Sequence, residues 1–525
     1  MTKRWITGLI VLLLGWSLLA VGISADGIVK TAAAEQKKEI RLYLDGVWIR
    51  SDVAPYIVPG ANRTMVPVRV ISQGLGAKVD WDAATKTVTM QRGEGRIVLK
   101  IGERFATVGG QQLAMDAPAE ITNNRTMVPL RFVSEHLGLH VQWIEDKREI
   151  WMTSNEQAQL RGTWISTVYN LDWPSVQSYG DPAAQQQEYR ELLDELQGMG
   201  INTVFVQVRP AGDALYNSKL VPWSKYLTGR QGEHPGYDPL AFMVEETHRR
   251  GMAIHAWFNP FRASTDNKTE LLAASHAAVQ HPEWIVTTAG SSGKLYFNPG
   301  IPAVRQHIID VVMEVVNGYD IDGVHLDDYF YPTDASFDDE ATFRQYNAKR
   351  IKDKAEWRRD NINEFVRNLG EAIHAAKPHL AYGISPFGVW RNSKDDPTGS
   401  DTSASITAYD DMSADTRAWI QGGWIDYIMP QIYWSRSFAV ANYDTLVKWW
   451  AREVEGSSVK LYIGHAPYKL GTKEAGWQSA SEIIDQLKFN ESIPQVKGDV
   501  FFSAKDLRRN PLDLVPLLRA YYQVP

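Results

Sequence analysis

The stretch Asp322-Gly323-Val324-His325-Leu326-Asp327-Asp328-Tyr329 ends a short apolar run with two adjacent carboxylates. In a strand, period-two alternation sends Val324 and Leu326 to one face and His325 and Asp327 to the other. Asp328 follows where the run ends, so both acids can share one polar setting. Neighbouring carboxyls beside aromatic rings are driven apart in proton affinity, one ionised and the other protonated. Glycosidic cleavage uses that arrangement: a general acid for the leaving oxygen, and a carboxylate facing the positive charge that develops at the anomeric carbon. The plain alternative is that Asp327 and Asp328 cap the following segment or bind a cation.

Other polar and aromatic residues close further apolar runs: Gln207 and Arg209, then His255, Trp257 and Asn259, then Ser385, then Gln431, Tyr433 and Trp434, with Tyr329 beside the acidic pair. Amides and guanidinium groups hydrogen-bond hydroxyls, and Trp and Tyr faces cover the C–H faces of pyranose rings. Together they form a substrate-binding inventory for a polysaccharide. Asp213, in Arg209-Pro210-Ala211-Gly212-Asp213-Ala214, and Asp172, in Asn170-Leu171-Asp172-Trp173-Pro174, each read either as a second acid at the mouth or as a turn-capping aspartate. His465 reads as polar lining, with a catalyst as the alternative. There is no phosphate-cradling glycine loop, no GxSxG elbow and no HExxH, so nucleotide use, α/β-hydrolase chemistry and zincin proteolysis lose support. His325 with Asp327 and Asp328 is a weak ligand set, and no metal or cofactor is expected.

The elements that must position these residues repeat from Arg161 onward. Short apolar runs fall at 162–167, 203–208, 252–258, 323–327, 381–386, 427–431, 460–464 and 500–503. Helical patterns lie between or after them, at 188–199, 239–250, 302–316, 362–376 and 512–522. Eight βα units imply an α/β protein with a (β/α)8 TIM barrel, whose site lies at the C-terminal ends of its strands. The long intervals after strands two to five carry Trp223, Tyr226, Trp284, Phe297, Phe330, Tyr331 and Trp390, enough to wall an extended cleft.

Ahead of the barrel, Asn62-Arg63-Thr64-Met65-Val66-Pro67 recurs as Asn124-Arg125-Thr126-Met127-Val128-Pro129, with Arg69, Ser72, Val79 and Trp81 matched by Arg131, Ser134, Val141 and Trp143. Each copy reads as turn, strand, short helix and hairpin, which implies a small two-repeat α+β module over 40–152. His136 and His140 are four apart with Gly138 between them and no third ligand nearby, so they read as surface histidines. Lys3 and Arg4 before the uncharged run 5–24, with small residues at Ala25 and Ala32 to Ala34, read as an export signal over 1–34, with an uncleaved membrane anchor as the alternative. The expected location is extracellular or in the cell envelope. A net charge of −7 offers no field for nucleic acid. Cysteine is absent, which removes disulfides, a thiolate nucleophile and a lipoprotein anchor. Nineteen Trp and 22 Tyr suit a surface that stacks on sugars.

These motifs carry two resemblances. The N-terminal repeats resemble the module named after the N-terminal domain of copper amine oxidase, common in secreted Gram-positive proteins; nothing here binds copper, and the module suits a stalk or a wall-polymer contact. Arg161-Gly162-Thr163-Trp164-Ile165, Gln207-Val208-Arg209-Pro210, the stretch from Gly323 to Tyr329, and Met429-Pro430-Gln431-Ile432-Tyr433-Trp434 resemble the glycosyl hydrolase-like family 10 proteins over about 160–522. That resemblance implies a barrel enzyme acting on a bacterial envelope glycan, with peptidoglycan strands stripped of their peptides as the substrate class, and Asp327 and Asp328 on the acidic pair. The fourth-strand motif also looks like that of the α-amylase family, whose nucleophile would fall on Asp327, but Ser385-Pro386-Phe387-Gly388 carries no glutamate acid. The adjacent pair further resembles substrate-assisted N-acetylhexosaminidases, with Asp327 orienting a 2-acetamido group and Asp328 as general acid/base. The rival reading is a non-catalytic wall-carbohydrate-binding protein on a barrel scaffold.

Overall fold

A computed structural model describes residues 39–525, apart from 45–46, 59–62, 71–76, 93–94, 116, 138, 145–146, 155–158, 289–292, 328–329, 334–335, 379, 523 and 525. The export signal or anchor, Asp328 and Tyr329 therefore lie outside the described residues. Among those described, no helix is long and apolar enough to cross a membrane.

Eight parallel strands close into a barrel: β1 (Leu160–Ile165), β2 (Thr203–Arg209), β3 (Ala253–Phe258), β4 (Gly323–Leu326), β5 (Ala381–Ile384), β6 (Tyr427–Ile428), β7 (Lys460–His465) and β8 (Val496–Phe501). Both faces of such strands are covered, which is why they read in sequence as continuous apolar runs. β6 is shorter than its run because Pro430 has no N–H for the ladder; Gln431 rejoins through bridges to Phe387 and Gly464. Asp181, Asp238 and Asp353 cap the helices Pro182–Gly198, Pro239–Arg249 and Lys354–Ala376 by accepting from Ala184, Ala241 and Glu356 N–H. The helix Pro302–Gly318 turns Val304, Ile308, Val311, Val312, Val315 and Val316 into the core. Each burial yields about 1.5–3 kcal/mol, against roughly half a kcal/mol of helix propensity lost at a β-branched residue; packing decides.

Inside the barrel, alternate residues form layers. Gly323 and Gly383 leave room for the rings of the neighbouring strands, since a Cβ there would meet His255 Nδ1 or the Tyr427 ring at 2.3 Å. Trp164, Phe205, Trp257, Tyr427, Met429, Tyr462 and Val500 pack as one interior cluster.

The repeats of the N-terminal module do not fold apart. Strand Arg63–Pro67 of the first copy pairs antiparallel with Arg125–Pro129 of the second, matching Met65 with Pro129, Val66 with Val128 and Pro67 with Met127, so equivalent residues meet about a local two-fold. The first strand, Arg41–Leu44, pairs with the last, Glu149–Ser154. One core, including Val66, Val88, Leu99, Val128 and Ile150, serves both copies; a single repeat cannot bury its own apolar face. The second copy supplies the helix Leu130–His136, and His136 Nδ1 meets the Phe132 carbonyl at 2.7 Å. The module contacts the barrel at the N-terminal rim of the strands. Arg41 and Tyr43 both reach Asp320 at 3.4 Å, and Trp48 meets His248 edge-on at 5.6 Å.

Candidate active site

Asp327 lies immediately past β4, 8% exposed, on the inward-facing register of that strand. Asn259, one residue past β3, donates from Nδ2 to Asp327 Oδ2 at 2.8 Å. Gln431, beyond β6, donates from Nε2 to Oδ1 at 3.4 Å and to the Ser385 carbonyl at 3.0 Å. The ends of β3 and β6 thus converge on the carboxylate at the end of β4.

The polarity of this contact is fixed from further back. Gln207 Oε1 accepts from the N–H groups of Thr167 (3.0 Å) and Val168 (2.9 Å) and from the Ser166 hydroxyl (3.2 Å). Two of these donors are backbone amides, so the Gln207 side chain has one orientation and its Nε2 must donate to Asn259 Oδ1. Asn259 is then left with its Nδ2 for Asp327. The ladder ends in N–H donation to the Asp327 carboxylate. Arg209 holds the same strand end from the main chain, its Nη1 donating to the carbonyls of Asn259 (2.7 Å) and Pro260 (2.9 Å) while Phe297 covers the guanidinium at 5.7 Å. Complete burial pushes the Arg209 pKa down to about 10.

His325 and His255 sit one layer deeper. Trp164 Nε1–H can only donate, and it reaches His325 Nε2 at 3.1 Å, so the His325 proton is on Nδ1, donated to Tyr427 Oη at 3.0 Å. The Tyr427 hydroxyl in turn faces His255 Nδ1 at 3.1 Å. Burial pushes the pKa of His325 well below its usual range and that of His255 to about 3. Two uncharged imidazoles therefore form the floor. Tyr427 was not singled out in the sequence, although the alternation Tyr427, Met429, Gln431 points it inward. Trp257 joins this interior cluster and is 3% exposed.

Beyond β6, Tyr433 approaches Phe502 (6.1 Å) and Tyr468 (6.0 Å), and Trp434 meets Phe387 at 5.5 Å. All four of Tyr433, Trp434, Phe387 and Phe502 are half-buried, which makes an aromatic wall of the kind that packs on sugar faces. Asp172 staples loops: its carboxylate accepts from Ser166 N–H (2.6 Å), Ser503 Oγ (2.7 Å) and Lys505 N–H (2.7 Å). Burial raises its pKa to about 6 against these donors. Asp213 is fully buried, accepts from Gln231 Nε2 at 3.0 Å, and lies four residues beyond Arg209 on the loop after β2. His465 lies behind the barrel wall, between Gln486 (2.9 Å) and Asp499 (2.8 Å), and not in the mouth. The structure thus brings Asp327, Asn259, Gln207 and Gln431 together and leaves Asp172 and Asp213 on separate flanks.

A closed parallel barrel with an amide-held carboxylate at the end of its fourth strand has the architecture of a TIM-barrel glycosidase. The family model described as Glycosyl hydrolase-like 10 matches residues 159–481, and that of the copper amine oxidase N-terminal domain matches 43–152. The chain is 50% identical over 362 residues to glycosyl hydrolase YngK of Bacillus subtilis (strain 168), covering 68% of this chain and 70% of that one. It is 43% identical over 373 residues to glycosyl hydrolase DigH of Escherichia coli (strain K12), covering 67% and 84%. Among solved structures, the PgaB (BpsB) glycoside hydrolase domain from Bordetella bronchiseptica aligns with TM-score 0.48 at 12% identity, covering 70% of this chain and 98% of that one. The chain belongs to the Glycosyl hydrolase-like 10 family.

Proposed function

We propose that this protein is a secreted glycoside hydrolase that cleaves a bacterial envelope polysaccharide, namely peptidoglycan glycan strands freed of their peptides. The observation that carries the reading is the donor ladder from Gln207 through Asn259 to Asp327, joined by Gln431 from the end of β6. Such a carboxylate is oriented as a hydrogen-bond acceptor by side-chain amides. Asp328 then takes the general acid/base role beside it. On an N-acetylated glycan, Asp327 orients the 2-acetamido group, whose carbonyl oxygen attacks the anomeric carbon while Asp328 protonates the leaving oxygen. Water reopens the resulting ring with Asp328 as base. The half-buried aromatic wall around Tyr433 and Trp434 supports a saccharide ligand, and the N-terminal repeats suit a wall-polymer contact that keeps the barrel near its substrate. An export signal or anchor within residues 1–34 accords with an envelope location.

The test is incubation of the full chain with peptide-free peptidoglycan glycan while reducing ends are counted, beside the same glycan after deacetylation. Release from the acetylated glycan and far slower release from the deacetylated one are expected. Equal turnover of both would overturn the substrate-assisted step, and binding without release across a broad glycan panel would make the protein a carbohydrate-binding barrel instead.

A further inference from the structure

A cavity of about 240 Å³ lies between the loops that continue β2 and β3, lined by Asp213, Tyr226, Gln231, Ser264, Thr265 and Leu272 among others. It is reached four residues on from Arg209 along one loop and four residues on from Asn259 along the other, and none of Gln207, Asn259, Asp327 and Gln431 lines it. Its volume is just short of the roughly 300–1,000 Å³ of pockets for drug-sized ligands, so it suits one ring and not an oligosaccharide.

Three features point to a ligand. Asp213 is 1% exposed; its Oδ2 accepts from Gln231 at 3.0 Å, while its Oδ1 has only the Ser224 hydroxyl nearby, outside good hydrogen-bond geometry. A buried carboxylate oxygen left without a donor costs on the order of 1–3 kcal/mol or more, a cost that an entering donor would remove. Burial also pushes the Asp213 pKa up, with Gln231, Ser224, Arg209 and Lys225 pulling the other way. The rim is balanced in charge: Lys225 pairs with Asp266 at 3.2 Å, each about a third exposed, and the Tyr226 and Thr265 hydroxyls face each other at 3.3 Å. Such lining suits a neutral polyhydroxylated ring better than an ion. Finally, Tyr169 stands 62% exposed, its ring edge-on at 6.2 Å to Tyr226, which lines the cavity. Its backbone is in the left-handed region at φ 58°, a conformation rare for a bulky residue. Asn170 secures that turn through the carbonyls of Pro174 (2.7 Å) and Tyr226 (2.9 Å). An exposed aromatic held in a disfavoured conformation is a common mark of a ligand contact.

We infer that this cavity is a distal subsite that holds one neutral pyranose unit of a glycan whose cleaved bond lies at Asp327, with a sugar hydroxyl donating to Asp213 and the ring face against Tyr169. The inference rests on the proposed glycosidase reading, and it adds a preference for long chains. The experiment titrates the full chain carrying Asp327→Asn with peptide-free glycan fragments, short ones and ones several times longer, by calorimetry. Longer fragments are expected to bind more tightly, and Asp213→Asn or Tyr169→Ala should each shrink that length advantage by roughly three- to tenfold, the worth of about one hydrogen bond or sugar-face contact. Tyr169 is exposed, so its variant tests the subsite even where Asp213→Asn fails to fold. An unchanged length advantage in a folded Tyr169→Ala variant would overturn the subsite whether or not the chain cleaves glycan. A lost advantage in a protein whose wild type releases no reducing ends would keep the subsite and refute the catalytic reading.

Discussion

Strand β4 has an aspartate at either edge, Asp322 just before it and Asp327 just after, and the two are held in opposite ways. Asp322 accepts from His248 Nε2 and Ile254 N–H, both at 2.8 Å, with side chains 4% and 0% exposed for the Asp and His. Burial alone would lower the His248 pKa, but the charge and hydrogen bond of Asp322 outweigh it and the net direction is up. Asp327 is instead held by the amides of Asn259 and Gln431. Amides orient a carboxylate without adding a counter-charge. At the N-terminal rim the acid meets a histidine and fastens a joint; at the C-terminal rim it is aimed by side-chain amides. The same residue type does structural work at one end of a four-residue strand and, in the proposed reading, chemical work at the other, as expected for a barrel whose two rims divide stability from activity.

Substitution of these two aspartates gives the largest expected contrast. Asp327→Asn should lower kcat by about 10³-fold with little change in melting temperature, because a preorganised electrostatic contact is worth about that much. Asp322→Ala should do the reverse, costing roughly 3–5 kcal/mol of stability in urea denaturation by stranding His248, while activity per folded molecule stays near wild type. An Asp322→Ala variant that stays stable but loses activity would erase the distinction. Next in size, Gln207→Leu unlocks the Asn259 amide without touching substrate and should lower kcat by up to about 10²-fold with KM little changed; an effect confined to KM would return Gln207 to substrate binding.

Histidines sharpen the comparison through pH. His248 has a raised pKa, so its contribution is complete below the unfolded value of about 6.5 and is lost as pH rises through the folded value. The stability gap between wild type and His248→Gln should therefore shrink as pH rises. His255 and His325 have depressed values, so their contribution is complete above about 6.5 and is lost as pH falls through the folded value, about 3 for His255. Urea titrations of His255→Asn should accordingly show a flatter loss on the acidic side than wild type. Asp320→Asn has the smallest expected effect. Its pair with Arg41 is 35% and 46% exposed, and removal should cost less than about 1 kcal/mol; a larger loss would mean that the module and barrel fold as one cooperative unit through that contact.

Much of the barrel was legible from patterning. Each of the eight expected runs overlaps a strand, because parallel strands buried on both faces must be apolar throughout, although the last strand begins at Val496, four residues ahead of its expected run. The inward register of His325 and Asp327 followed from alternation, but depth did not: only the pairing of His325 with Trp257 and of His255 with Gly323 across neighbouring strands shows that the imidazoles lie beneath the carboxylate. Gln207 and Asn259 read as sugar ligands because their types suit hydroxyls; their commitment to each other and to Asp327 depends on two strands that meet after 40 or more intervening residues. The repeats likewise announced themselves in Arg-Thr-Met-Val-Pro, while their fusion into a single core required the pairing of Val66 with Val128.

By itself, the amino-acid order determined what is periodic and local: eight apolar runs, their helices, a duplicated module and an acidic pair at the close of the fourth run. Tertiary structure decided what depends on which atoms face each other across strands: the direction of the amide ladder, the neutral state of the buried imidazoles, the stapling role of Asp172 and the cavity at Asp213. Hydrophobic burial is set largely by composition and spacing, whereas a hydrogen bond's polarity depends on geometry of a few tenths of an ångström between residues far apart in the chain.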